Sequence, residues 1–208
     1  RAQQERIINS LLQEMIDLDM ERFEKILNEH IAAKGIERTV VQIIFPFLEK
    51  IGILWLTGRI NPAQEHLVTN IIRQKLIVAI ESTVSHIEMG KTFLLFLPEG
   101  EYHELGLLFM YYLLRSRGAQ TIYLGANVPL KDVEQVIHLK KPDIIFTHLT
   151  ATAPGFSLDR FLQQVQVRCP NHPVVVSGQL TQAYRKQLPV NVHFKRSLSE
   201  VMEYLSSF

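Results

Sequence analysis

Disulfides within the chain are excluded at the outset, because Cys169 is the only cysteine among 208 residues. A lone thiol fits a reducing compartment, and a cytoplasmic setting is expected. A surplus of either charge is also missing. Lys and Arg number 22 against 21 Asp and Glu, so charge alone makes no polyanion-binding surface here. Any contact with DNA is expected through another segment. The most apolar long region, Ile43 to Leu56, is broken by Glu49 and Lys50, so no transmembrane span and no membrane partner are expected. No signal-peptide pattern is present, and the chain opens at Arg1 inside a helical pattern, as a fragment would. A glycine-rich phosphate loop is lacking: the first apolar strand runs into Pro98-Glu99-Gly100-Glu101, whose acids repel phosphate. A zinc site needs three or four ligands, and none of His30, His66, His86, His138, His148, His172 or His193 forms a close sequence pair with His103. Among these, His148 reads as a solvated loop histidine.

What is present divides in two. Up to residue 88 the pattern is helical only. Ile7, Ile8, Leu11, Leu12, Met15 and Leu18 form one amphipathic stripe, and Phe23, Ile26, Leu27 and Ile31 form a second. Asp17 or Asp19 caps the second helix and Gly35 ends it. A third helix is predicted from Glu37 to Leu56, kinked or split at Pro46. Asn61, Pro62 and Gln64 open a fourth in a capping-box arrangement, and it is expected to reach Ile87. Four helices with short links predict an antiparallel bundle over residues 1–88.

Over residues 89–208 short apolar strands alternate with helices. The strands are Thr92–Leu97, Thr121–Leu124, Asp143–Thr147, Val174–Ser177 and Val192–Phe194; the fourth of the intervening helices is expected at Thr181–Gln187. This pattern predicts an α/β domain, a flavodoxin-like (Rossmann-like) five-stranded parallel sheet in the order 2-1-3-4-5. Ligands of such sheets bind at the carboxyl ends of the first and third strands. The loops there are Pro98–Gly106 and His148–Phe156, the second with a floor of small and turn-forming residues, 150–155. In the first loop, Glu101 and His103 are two apart and Gly106 opens a helix. His103 is read as a metal ligand whose other ring nitrogen is held by Glu101. Gly106 lets a planar cofactor and its tail approach the backbone. A single histidine ligand suits a metal that brings its own equatorial ligands, as in a tetrapyrrole-like cofactor.

The string Glu101-x-His103-x-x-Gly106 resembles the Asp/Glu-x-His-x-x-Gly signature of cobalamin-binding domains. Thr147-His148-Leu149 is similar to their Ser/Thr-x-Leu/Thr motif, and Ser177-Gly178 stands where a Gly-Gly pair is usual. The order bundle-then-sheet resembles methionine synthase and the CarH/LitR-type MerR-family light-responsive regulators. Trp55, nine residues, then Glu65-His66 resembles the cap of the CarH type. The resemblance implies adenosylcobalamin as cofactor, cobalt bound from below by His103, and a tail slot lined by Gly106, Thr147, Leu149, Ser177 and Gly178. Trp55 would cover the upper face of the corrin, with Glu65 and His66 on the adenosyl group. It further implies a non-enzymatic sensor, tetrameric in the dark, that represses transcription through an upstream helix-turn-helix domain. Leu56 departs from the best-known members, which carry a histidine there. Two other readings stay open: a methyl-corrinoid carrier of a methyltransferase system, and a degenerate regulatory domain that binds no cobalamin.

Overall fold

A computed structural model of the chain describes residues 2–150 and 154–208. The chain divides into two compact units, Arg1–Ser82 and Thr83–Phe208. The connecting residues go with the second unit, where Met89 N–H donates to the Gly118 carbonyl.

The first unit holds the helices Ala2–Asp17, Met20–Lys34, Ile36–Leu56 and Pro62–Ser82. Their buried stripes meet: Ile8, Leu11 and Met15; Phe23 and Leu27; Val40, Ile43, Ile44, Phe47 and Ile51; and Val68, Ile72, Leu76 and Ile80 at intervals of four. Phe23 and Phe47 bring their rings to 5.5 Å between centroids. Asp19 caps the second helix through Arg22 N–H, and Asn61 and Gln64 exchange two hydrogen bonds of 3.0 Å, the full capping box.

Three expectations are corrected. Leu18 leaves the first stripe, with φ +58° and 52% exposure. The last helix ends at Ser82 rather than Ile87. Pro46 does not split its helix. Proline clashes with the carbonyl four residues back, and here a π-helical turn, Val40–Ile44, with Phe45 N–H bonded to the Val40 carbonyl, widens the helix just ahead of it. By length and composition Ile36–Leu56 is apolar enough to cross a membrane, but one face of it is the core of this bundle.

The second unit is a parallel sheet in the order β2-β1-β3-β4-β5. The strands are β1 Thr92–Pro98, β2 Gln120–Val128, β3 Ile144–His148, β4 Val174–Ser177 and β5 Val192–Lys195. Helices Leu105–Ser116, Leu130–Lys140, Leu158–Arg168, Leu180–Ala183 and Leu198–Ser206 alternate with them. Phe93 to Leu97 are fully buried, as a strand covered on both faces requires. Leu94, Phe96, Ile145, Leu149, Val174 and Val176 pack with Val133, Ile137, Leu162 and Val165 of two of the helices.

Two element lengths differ from the sequence pattern. The helix expected at Thr181–Gln187 is the single turn Leu180–Ala183. Strand β2 runs past Leu124 to Val128 because its register shifts. Leu95 pairs with Tyr123 and Phe96 with Gly125, so Leu124 is bulged out. The bulge carries β2 up to the level of the loop that follows β1.

Candidate functional site

That loop is held from two sides. Glu101 N–H donates to the Pro98 carbonyl, closing a turn through Gly100 at φ +84°. From β2, Asn127 accepts Gly100 N–H on its side-chain oxygen at 3.0 Å and donates its own N–H to the Glu101 carbonyl at 3.2 Å. Asn127 sits in the left-handed region, φ +59°, which asparagine tolerates better than most residues. It was not legible as a site residue, because only the bulge brings it there.

Glu101 is fully buried and three N–H groups converge on it. Oε1 accepts the His103 N–H at 2.8 Å and faces His103 Nδ1 at 2.7 Å; Oε2 accepts Thr150 N–H at 3.0 Å. Burial pushes this carboxyl upward, but the hydrogen bonds from the His103 ring and N–H, the charge of that ring and the Thr150 N–H bring it below its ordinary value. Glu101 is therefore ionised at neutral pH. It takes Nδ1 of His103, whose side chain is 55% exposed. Among the described residues no three His, Cys, Asp or Glu side chains come together as metal ligands. A metal on His103 would thus have to bring its remaining ligands with it.

The five residues expected to line one slot make contacts on three segments. Gly106 lies against the imidazole of His148: a methyl group on Gly106 would stand 2.4 Å from both Cδ2 and Nε2 of that ring. His148 Nδ1 is 2.7 Å from the hydroxyl of Ser177, which pairs with it across β3 and β4. Gly178, at φ +98°, lies against the backbone of Leu149. Thr147 is fully buried, and its hydroxyl has no hydrogen-bond partner among the described residues. The space beside Gly106 is thus filled by a side chain of the chain itself, and His148 is not the solvated loop residue the sequence suggested. Its position follows from strand pairing, which the local sequence does not display. Residues 151–153 of the small-residue floor lie outside the described residues.

Burial pushes the His148 imidazole down to about 4, against a weaker upward pull from the Glu101 carboxylate. Unfolded, a histidine titrates near about 6.5. Stability from the neutral ring is complete above that pH and is lost as pH falls toward the folded value. The sheet unit is expected to lose up to about 3 kcal/mol over this window. Urea denaturation at about pH 7 and about pH 4.5, on wild type and His148→Asn, checks it. Equal losses in both proteins would refute it.

In the helical unit, Trp55 lies in the last turn of Ile36–Leu56, and Glu65 and His66 lie in the first turns of Pro62–Ser82. Residues 57–61 join the two helices, so the three side chains share one end of the bundle. Trp55 is 47% exposed beside Ile53 and Leu56, which are also exposed. Glu65 Oε2 is 3.9 Å from Nδ1 of the exposed His66.

Residues 7–79 match the model of a B12-binding domain family. Over 168 residues the chain is 27% identical to the HTH-type transcriptional repressor CarH of Myxococcus xanthus, covering 80% of this chain and 56% of that one. The helical part of the chain is thus similar to B12-binding domains, and most of the chain is similar to the CarH repressor. A second repressor of the same organism, CarA, is 27% identical over 162 residues, covering 77% of this chain and 54% of the relative. The chain spans about half the length of the curated relatives it matches. Its fold is shared with the monomethylamine corrinoid protein of Methanosarcina barkeri, with a TM-score of 0.70 over 98% of this chain and 99% of that one, at 12% identity. The family match rests on the helices. The Glu101-x-His103-x-x-Gly106 string lies beyond its last matched residue, 79.

Proposed function

We propose that this domain binds adenosylcobalamin with His103 as the lower ligand of cobalt, and acts as the light-sensing half of a transcriptional repressor rather than as an enzyme. The observation that carries the reading is the buried Glu101 carboxylate on Nδ1 of a half-exposed His103. A ligating imidazole needs its second nitrogen held in this way, which fixes the ring and raises its basicity. The orphaned Thr147 hydroxyl also supports a polar ligand. A buried hydroxyl left unbonded costs about 1–3 kcal/mol, which a cofactor group bonded to it would offset. The donor set therefore suits the group, while the flank at Gly106 is closed by His148.

In this reading the bound cofactor supplies a cobalt–carbon bond that light breaks. The chain's own residues do the rest. Glu101 orients His103. By resemblance to the family, Trp55 would pack on the corrin, and Glu65 and His66 would hold the adenosyl group. Loss of those contacts shifts the balance between two arrangements of the protein, because only a ligand that contacts the two differently can move it. Leu56 offers no nitrogen, so the illuminated state lacks a second histidine ligand from that position. The dark form is a homo-tetramer, gripping DNA through a helix-turn-helix domain outside this chain. It works in the cytoplasm, where Cys169, buried and with its thiol pushed up to about 11 mainly by burial, stays reduced and inert.

Absorbance spectra with adenosylcobalamin, before and after green light, test the proposal on wild type and His103→Ala. The wild type is expected to show histidine ligation in the dark and no bis-histidine spectrum after illumination. His103→Ala should lose the ligation feature and bind about 10–100-fold more weakly, the range typical of a damaged metal site. Protein that stays colourless overturns the reading, and so does a mutant spectrum identical to wild type. Tighter binding of methylcobalamin than of the adenosyl form would make the chain a methyl-corrinoid carrier.

A further inference from the structure

We infer that His148 is a built-in occupant of the tail slot, which the nucleotide of adenosylcobalamin must displace to bind, at a cost that a corrinoid with a truncated tail does not meet. The inference rests on the corrinoid reading above but concerns a residue which that reading does not use. Three observations carry it. The ring fills the space that Gly106 leaves open, at a separation no Cβ would tolerate. It is tied at its other end to the Ser177 hydroxyl at 2.7 Å, on a residue only 3% exposed. And it bridges Gly106 and Ser177, two of the residues that a nucleotide tail would have to pass between. A complete tail must expel the imidazole, breaking the Ser177 bond and leaving that hydroxyl to find a new partner. A corrin ring without the nucleotide has no tail to enter this space and leaves His148 where it is.

Serine at 177 is part of the same device. A glycine there would offer His148 no hydroxyl, and the ring would be held by packing alone. The Ser177-Gly178 departure from the usual glycine pair and the histidine at 148 are therefore one coupled feature, linked across β3 and β4.

The test is a pair of titrations, with cobalamin and with cobinamide, the same corrin lacking the nucleotide, on wild type, His148→Ala and His148→Asn. Removing the ring is expected to strengthen cobalamin binding roughly tenfold, the order of one buried hydrogen bond with its packing, and to leave cobinamide binding unchanged. His148→Asn, which fills less of the space and keeps a polar end toward Ser177, should fall between and guards against a misfolded alanine variant. Circular dichroism of all three confirms that the sheet unit is intact. A cobalamin-to-cobinamide ratio that does not move overturns the inference while leaving corrinoid binding standing. Weaker cobalamin binding in both variants also overturns it, since His148 would then be a partner of the tail. Binding of neither corrinoid by any of the three proteins overturns the inference together with the reading beneath it.

Discussion

Replacing Glu101 with alanine is expected to destabilise the sheet unit by about 3 kcal/mol and to weaken corrinoid binding by about 10–100-fold. The first effect follows from what the carboxylate satisfies. It accepts the N–H groups of His103 and Thr150, from loops that follow β1 and β3, so one fully buried side chain ties the two loops together. Truncation leaves two backbone donors without a partner and opens a cavity beneath them. The figure lies below that for a fully buried ion pair because His103 reaches solvent and is not stranded as a buried charge. The second effect follows from Nδ1: freed from Glu101, the His103 ring turns and changes tautomer, and Nε2 is no longer the fixed donor. Glu101→Asp keeps the charge on a shorter arm and should recover part of both losses. Glu101→Gln keeps the volume but turns one end of the group into a donor, facing N–H groups that also donate, so it should recover little. Denaturant unfolding and corrinoid titration on the three variants measure the two effects separately. Alanine and glutamine variants as stable as wild type would refute the structural role. The native carboxyl is held below its ordinary value, so its contribution persists above about pH 4.5 and fades below it, under the His148 window.

Much of this arrangement was legible in sequence wherever the information is local. Phe93-Leu94-Leu95-Phe96 and Val174-Val175-Val176 read as doubly covered strands because burial on both faces erases the alternation of polar and apolar residues. Asn61 and Gln64 read as a capping box because the motif closes within three residues. The Glu101–His103 pair was legible for the same reason, the two being neighbours in one turn. What the sequence hid is what depends on register. Gly125 and Asn127 look like the end of a strand, yet β2 continues through two register shifts, which turn Asn127 into a brace for the β1 loop. His148 looks like a loop residue, and only the pairing of His148 with Ser177 and the packing of Gly106 show that its ring is packed against the chain. Pro46 announces a break, which the turn before it absorbs by widening. The expected tail slot depends on register in the same way. Its five residues were assembled from three motifs on three segments, and whether they enclose one space is decided by the side chain at 148, which the motif leaves unspecified.

Gly178→Ala is expected to cost more than about 4 kcal/mol and to leave the sheet unit unfolded or poorly soluble, whereas Gly155→Ala should cost about 1–2 kcal/mol. Both glycines have positive φ, +98° and +88°, so both substitutions carry the backbone penalty of a left-handed L-residue. They differ in what a new Cβ meets. At Gly155 no described residue outside its chain neighbours lies within 4 Å. At Gly178 the Cβ would stand 2.4 Å from the Leu149 carbonyl oxygen and 2.7 Å from its C and N atoms. These are backbone atoms, and they cannot retreat cheaply. Leu149 N–H donates to the Ser177 carbonyl at 2.8 Å, Leu149 O accepts Leu180 N–H at 3.1 Å, and the side chain is fully buried in the core between sheet and helices. Relieving the overlap means giving up both bonds or pulling Leu149 out of that core. The glycine at 178 is thus required by the protein's own packing, with or without a ligand, while the residue before it is free to be serine and to hold His148. Thermal unfolding of the two variants measures the difference between them. If Gly178→Ala melts like wild type yet binds corrinoid poorly, the clash is relieved at little cost and that glycine serves the ligand instead.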